Sequence, residues 1–157
     1  MLTPNKTQTI LFLVAALLLD GCGGDHPHSH GHTHTAPHGG ELVELGNHAF
    51  NLEILHDDVA GTLGVYVLGG HAERYIRIEQ PSIAMKLKSG DEQLDLELQA
   101  VADEITKETV GDTSYFSAQS DWLKKEGIGG TIDSIKIKGT SYSAVSFDLS
   151  NSHGHAH

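Results

Sequence analysis

The chain of 157 residues has little sulfur and few basic side chains. It contains one cysteine and two methionines, so an intrachain disulfide is excluded and a soft metal site built from thiolate or thioether groups is disfavoured. Only 10 Lys and Arg stand against 21 Asp and Glu, and the formal net charge is −11 with neutral histidine. Because a phosphate-binding surface needs clustered Lys and Arg, we expect no nucleic-acid partner.

No apolar run in the sequence is long enough to cross a membrane as a helix. The longest, at residues 10–19, is ten residues, whereas a spanning helix needs about 20. Ten apolar residues after a short polar start that contains Lys6 are typical of the core of a signal peptide. We therefore expect an exported protein with a signal peptide at residues 1–21.

The apolar run ends in Leu19-Asp20-Gly21-Cys22, which resembles the lipobox of bacterial lipoproteins. Asp20 departs from the small or apolar residue usual at its position. The resemblance implies cleavage before Cys22 and acylation of its sulfur and new amino end, with palmitate-like chains, so no free thiol remains for a metal or for catalysis. Several acyl chains make such anchoring stable. Because Gly23, not Asp, follows the cysteine, the resemblance also implies the outer membrane, facing the periplasm.

Histidine is the residue in excess, with 12 in the chain. Five alternate with other residues after the lipobox and three alternate at the C-terminus: His26, His28, His30, His32 and His34, then His153, His155 and His157. The surrounding Gly, Pro, Ser and Thr predict a flexible tether at residues 22–37 and a histidine-rich tail at residues 151–157.

The alternation suits metal capture. Side chains two residues apart in an extended chain point the same way, so neighbouring imidazoles can converge on zinc, copper(II) or nickel. Such binding should weaken below about pH 6, where imidazole becomes protonated. The segments resemble the histidine-rich loops of zinc-uptake binding proteins and zinc transporters. The alternative is a polar spacer, although a spacer does not need histidine.

Residues 38–150 alternate apolar and polar side chains in the manner of half-buried strands. The alternating segments are 49–56, 63–68, 83–88, 94–99, 132–137 and 142–149, separated by Gly-, Asn- and Asp-containing turns. One short helix is predicted at residues 120–125, with Ser120 as its N-cap. The sequence therefore predicts an all-β fold, a small antiparallel β-sandwich or barrel. Trp122 should cap one edge of a core formed by Leu52, Ile54, Val65, Val67, Met85, Leu96, Ile135 and Phe147.

Four further histidines lie in the first third of this domain. If residues 48–57 and 61–70 form a hairpin, and residues 41–46 pair with the first of these strands, His38 returns near His56 while His48 and His71 lie at the other end. Two zinc-binding groups are then conceivable: His38 with His56 and Asp57, and His48 with His71 and Glu73. Neither has the tight spacing of a His-Glu-x-x-His motif, and ordinary hydrogen-bonded loop histidines are the alternative.

Two segments resemble stretches of small, uncharacterised exported bacterial proteins that also carry histidine-rich N-termini. They are PHGGE at residues 37–41 and YVLGGHAE at residues 66–73. The resemblance carries no known activity.

The leading hypothesis is a membrane-anchored lipoprotein that binds a divalent metal, zinc by preference, for buffering or for delivery to a transporter. In the second, the β-domain is an interaction module of a metal efflux or uptake system and the histidines only enrich metal nearby. The third is a metal-dependent hydrolase with Asp57, Asp58 or Glu73 as base. No Gly-x-Ser-x-Gly elbow, glycine-rich phosphate loop or cysteine nucleophile is present, so we expect no enzyme.

Overall fold

The computed structural model describes residues 34–150, which form eight β-strands and one 3₁₀ helix at Asp121–Lys124. The strands are β1 Glu41–Leu45, β2 Phe50–Asp57, β3 Thr62–Gly69, β4 Ser82–Ser89, β5 Glu92–Ala100, β6 Tyr115–Gln119, β7 Gly129–Ile137 and β8 Thr140–Asp148. Every segment in which the sequence alternates overlaps one of these strands. β1 forms where a strand was expected at residues 41–46, and β6 is the strand that the sequence analysis did not predict.

All eight strands belong to one antiparallel sheet in the order β1-β2-β3-β6-β5-β4-β7-β8. The two edge strands, β1 and β8, do not pair with each other. They lie close together, since residues 41–44 of β1 and residues 146–148 of β8 line the same cleft. The sheet is thus a nearly closed barrel, and the all-β antiparallel class expected from the sequence is confirmed.

Tight turns set the register of the hairpins. Lys138 and Gly139 both have positive φ, 46° and 86°, between the paired residues Ile137 and Thr140. This is the backbone of a type I′ turn, whose twist matches that of the strands it joins. The β2–β3 hairpin forms as expected and pairs Phe50 with Gly69 at its open end.

The barrel interior is apolar and fully enclosed. Seven of the eight predicted core side chains are buried there; Leu96 is half-buried. Leu96 faces the core, but β6 pairs with β5 only at Gln99 and Ala100, so the first part of β5 has no strand on that side. The alternation correctly predicted that the Leu96 side chain points toward the core. It could not predict how far β6 pairs along β5.

The short helix forms at the expected place, as a single 3₁₀ turn. The Ser120 hydroxyl accepts a hydrogen bond from the Trp122 amide at 3.2 Å. Leu123 is buried, and Trp122 is half-buried against the edge of the core. Within residues 34–150, no helix has the length and apolar character required to span a bilayer.

Candidate functional site: an oriented histidine beside a tyrosine-lined cleft

Three residues form a row across the outer face of β2, β3 and β6. Glu53 pairs with Tyr66, and Tyr66 pairs with Tyr115. Since successive side chains of a strand point to opposite faces, and Leu52 and Ile54 point into the core, this row lies on the face away from it. The Tyr66 and Tyr115 rings stack with their centres 4.2 Å apart.

Glu53 is a fully buried carboxylate that holds His38. Its Oε1 accepts the backbone N–H of His38 at 2.7 Å and that of Gly40 at 3.1 Å, and its Oε2 lies 2.8 Å from His38 Nδ1. Because an ionised carboxylate accepts hydrogen bonds and cannot donate them, this geometry puts a proton on Nδ1. The Tyr75 hydroxyl lies 3.2 Å from the other ring nitrogen, Nε2.

Two glycines explain how the chain reaches Glu53. Gly39 has φ of 78°, a conformation that favours glycine, and it turns the chain over the sheet. A Cβ at Gly40 would lie 2.5 Å from the carbonyl oxygen of Ile54 and 2.9 Å from Glu53 Cγ, so only glycine allows this approach. The PHGGE segment therefore positions His38 against the buried carboxylate of Glu53.

The imidazole extends the aromatic row. The His38 ring stacks on Tyr66, with centres 4.1 Å apart and planes 12° from parallel, and Tyr75 lies tilted against it at 5.9 Å. Burial is the largest cause that raises the pKa of Tyr66, and the neighbouring Tyr115, Tyr75 and Glu53 raise it further.

A cleft of about 590 Å³ opens beside the stacked rings. His38, Tyr66, Tyr75 and Tyr115 line it together with residues of the 101–108 segment. Glu108, nearly buried, accepts hydrogen bonds from Thr113 and from the Ser114 hydroxyl at 2.9 Å, and lies 3.3 Å from Arg77 Nε. The Asp103 carboxylate accepts two backbone amides of its own turn, at Ile105 and Thr106.

The structure does not bring His38, His56 and Asp57 together. Residues 41–45 pair with β2 as expected, but the turn at Gly39 directs His38 to Glu53. His56 is an odd number of residues from Glu53, so β2 directs it to the opposite face, where its Nε2 lies 2.6 Å from the Leu123 carbonyl oxygen.

The second expected group does not assemble either. His48 is exposed and pairs with Glu44 at 2.7 Å. His71 lies instead near His34, with ring centres 5.4 Å apart and planes at 76°. Among residues 34–150, no three His, Asp or Glu side chains are close enough to hold a metal ion. The remaining sites predicted from the sequence lie outside the described residues: Cys22, His26, His28, His30, His32, His153, His155 and His157.

Sequence reasoning missed Glu53 and the three tyrosines of the cleft. Glu53 alternates with apolar neighbours like any solvent-facing strand residue, and its pattern carries no sign of burial. The signal that could have helped is the Gly39-Gly40 pair next to His38, since adjacent glycines before a strand indicate a close backbone approach.

Comparisons of the chain with protein-family models, with curated proteins and with solved structures find no match. A proposal of function therefore depends on the chemistry of the residues themselves.

Proposed function

We propose that this chain is an exported, lipid-anchored protein without catalytic activity that binds divalent transition metal, zinc by preference, at the periplasmic face of the outer membrane. The signal-peptide core, the lipobox ending at Cys22 and the alternating histidines support this proposal. Its role is to buffer the metal or to deliver it to a transporter.

The observation that carries the proposal is the position of His34. It is the last histidine of the alternating tract, and its ring centre lies 5.4 Å from that of His71 in the β3–β4 loop. Two imidazoles that bind one tetrahedral zinc ion have ring centres about 5 Å apart, because each Zn–N bond is about 2 Å long and the ring centre lies about 1 Å beyond the nitrogen. A ring-centre separation of 5.4 Å is therefore one that two ligands of a single ion can have.

Residues 34–150 bring no three His, Asp or Glu side chains together, so within them His34 and His71 are a pair of potential ligands and not a complete site. The alternating histidines of the sequence supply further imidazoles, the ligand type that zinc prefers.

His38 adds independent support. Histidines that bind metal commonly donate their other ring N–H to a carboxylate, which fixes the ring and its tautomer. The Glu53–His38 contact at 2.8 Å has this carboxylate–histidine arrangement, with the Tyr75 hydroxyl 3.2 Å from Nε2. His38 is four residues from His34, on the segment that passes the β3–β4 loop.

Calorimetric titration of the full chain in detergent, purified without an affinity resin, tests the metal function. We expect zinc binding, and about a tenfold or greater loss of affinity in His71→Ala, which is about 1.4 kcal/mol or more. The matched control is His56→Ala, which removes an imidazole at the other end of the β2–β3 hairpin and should leave the affinity unchanged.

Three outcomes would count against the proposal in different ways. Absence of zinc, copper(II) and nickel binding in the full chain refutes the metal function. Equal affinities of His71→Ala and the parent chain refute the site at the domain. Binding that disappears entirely without residues 23–37 and 153–157, while the domain still captures a transporter component, favours the interaction-module alternative.

Lipid attachment has a separate test. Labelled palmitate fed to a bacterial host should enter the parent chain and bring it to the membrane fraction, whereas Cys22→Ser should lose both properties. Equal labelling of the two chains would exclude Cys22 as the anchor.

A further inference from the structure

The cleft is lined by two chemically different groups of side chains. One is the tyrosines Tyr66, Tyr75 and Tyr115, and the other is the carboxyl-bearing residues Asp103, Glu104 and Glu108. No Lys or Arg is among the described residues that line it. The cleft therefore combines aromatic surface with negative charge.

Much of this negative charge is uncompensated. Arg77, 3.3 Å away, offsets Glu108. Asp103 and Glu104 form no ion pair with any residue of the range 34–150. Two carboxylates without a cation of their own favour a ligand that brings positive charge.

The cleft also gathers exposed apolar surface. Tyr75 and Val101 line it and are 48% and 36% exposed. Ile105 and Val110, 92% and 62% exposed, do not line the cleft but lie on the same β5–β6 connection as Val101. Among the described residues, Val59 is the one other large hydrophobic side chain with comparable exposure. Such clustering marks a binding surface, because isolated apolar side chains would be scattered over the molecule.

We propose that this cleft binds an organic cation, an ammonium or quaternary ammonium group carried on apolar carbon. Tyrosine rings and carboxylates both attract such a group, and the apolar rim accommodates its carbon substituents. The cleft volume of about 590 Å³ lies in the range of small-molecule sites. This site is separate from the His34–His71 pair and does not depend on metal binding.

The stacking covers both faces of Tyr66, one with His38 and one with Tyr115, so neither a cation nor a sugar can lie on that ring. A divalent cation is disfavoured, because no three metal-ligating side chains converge anywhere in residues 34–150. An organic cation can instead lie between Tyr75 and the carboxylates, where it needs no fixed coordination geometry.

The test is ligand-observed NMR and calorimetry on the full chain in detergent with EDTA present, with choline and its neutral isostere 3,3-dimethylbutan-1-ol as probes. We expect choline to bind at least about tenfold more tightly than the alcohol, since the two differ in charge and hardly in shape. Added salt should weaken choline binding, because exposed charges are screened.

Two variants locate the site. Tyr75→Leu keeps apolar bulk and removes the aromatic ring, and Glu104→Gln removes one exposed carboxylate; each should lower choline affinity by about threefold or more. Glu126→Gln is the matched control, since Glu126 is exposed and lies outside the cleft, and it should bind choline like the parent chain.

Equal binding of choline and the alcohol overturns the charge argument. Binding of glucose or maltose in place of choline overturns it in favour of a sugar site. Lack of choline binding at about 10 mM, or binding that only Glu126→Gln weakens, refutes the cleft as the site. Because EDTA is present throughout, none of these outcomes bears on zinc binding.

Discussion

Replacement of Glu53 by alanine should destabilise the protein more than any other single loss of a carboxylate in residues 34–150. The side chain is fully buried and receives two backbone N–H groups and one imidazole. Removal of one partner from a buried, hydrogen-bonded charged group costs about 3–5 kcal/mol. Water can reach the partly exposed His38 ring, so we expect the lower part of this range, about 3 kcal/mol, from a total stability of about 5–15 kcal/mol.

Urea denaturation followed by circular dichroism measures this loss. His38→Ala should cost less, about 1–2 kcal/mol, because the backbone amides still satisfy Glu53. The double-mutant cycle of Glu53→Ala and His38→Ala should then give a coupling free energy of about 1–2 kcal/mol.

The matched control is Glu44→Ala. Glu44 also pairs with a histidine, His48, at 2.7 Å, but both side chains are exposed, so its loss should change stability by less than about 0.5 kcal/mol. A loss below about 1 kcal/mol for Glu53→Ala, or equal losses for the two variants, would refute the reasoning that burial makes Glu53 structurally important.

Two further predictions concern the same site. Gly40→Ala should destabilise the protein by about 2 kcal/mol or more, because the added Cβ would lie 2.5 Å from the Ile54 carbonyl oxygen. Thermal denaturation measures this loss. An unchanged melting temperature would contradict the close contact between Gly40 and Ile54. The raised pKa of Tyr66 means that the folded state holds this proton more tightly than the unfolded state. Its contribution to stability is therefore complete below about pH 10 and lost as pH rises above that value. In an ultraviolet absorbance titration, Tyr66→Phe should remove an ionisation whose pKa lies above the usual value of tyrosine, and persistence of that ionisation in the variant would contradict the assignment.

The fold was predictable because its strands bury one face. Period-two alternation is dictated by strand geometry wherever one side meets the core, so β2, β3, β4 and β8 were visible in the sequence. β6 was not visible in the sequence, because it has five residues and one fully buried hydrophobic side chain, Phe116. The neighbouring Tyr115 ring lies on the opposite face of the sheet. An aromatic residue on each face conceals the alternation.

The candidate site was predictable only in part. The sequence analysis identified His38 and its two following glycines as notable. It could not predict the direction of the turn at Gly39, which determines whether His38 lies next to Glu53 or next to His56. The row also includes a contact from a distant segment, since Tyr75 of the β3–β4 connection forms a bridge with Leu68 and lies against the Tyr66 ring. Such a long-range contact is absent from any local pattern.

The segment of residues 34–38 connects the two proposed functions physically. His34 lies beside His71, and His38 lies beside Tyr75, so this segment follows residues 71–75 of the β3–β4 connection. Glu53 is what fixes its far end, through contacts of 2.7 and 2.8 Å with His38. We therefore predict that Glu53→Ala lowers zinc affinity as well as stability, by about tenfold, because it frees the segment that positions His34 and so raises the entropic cost of binding.

Calorimetric titration of the folded variant at low temperature separates this effect from unfolding, with Glu44→Ala as the control that should bind zinc normally. If Glu53→Ala, still folded, binds zinc as tightly as the parent chain, the tract captures metal without help from the domain. In that case the spacing of His34 and His71 has no part in the affinity. A loss restricted to Glu53→Ala and His71→Ala would show that the folded domain sets the strength of capture.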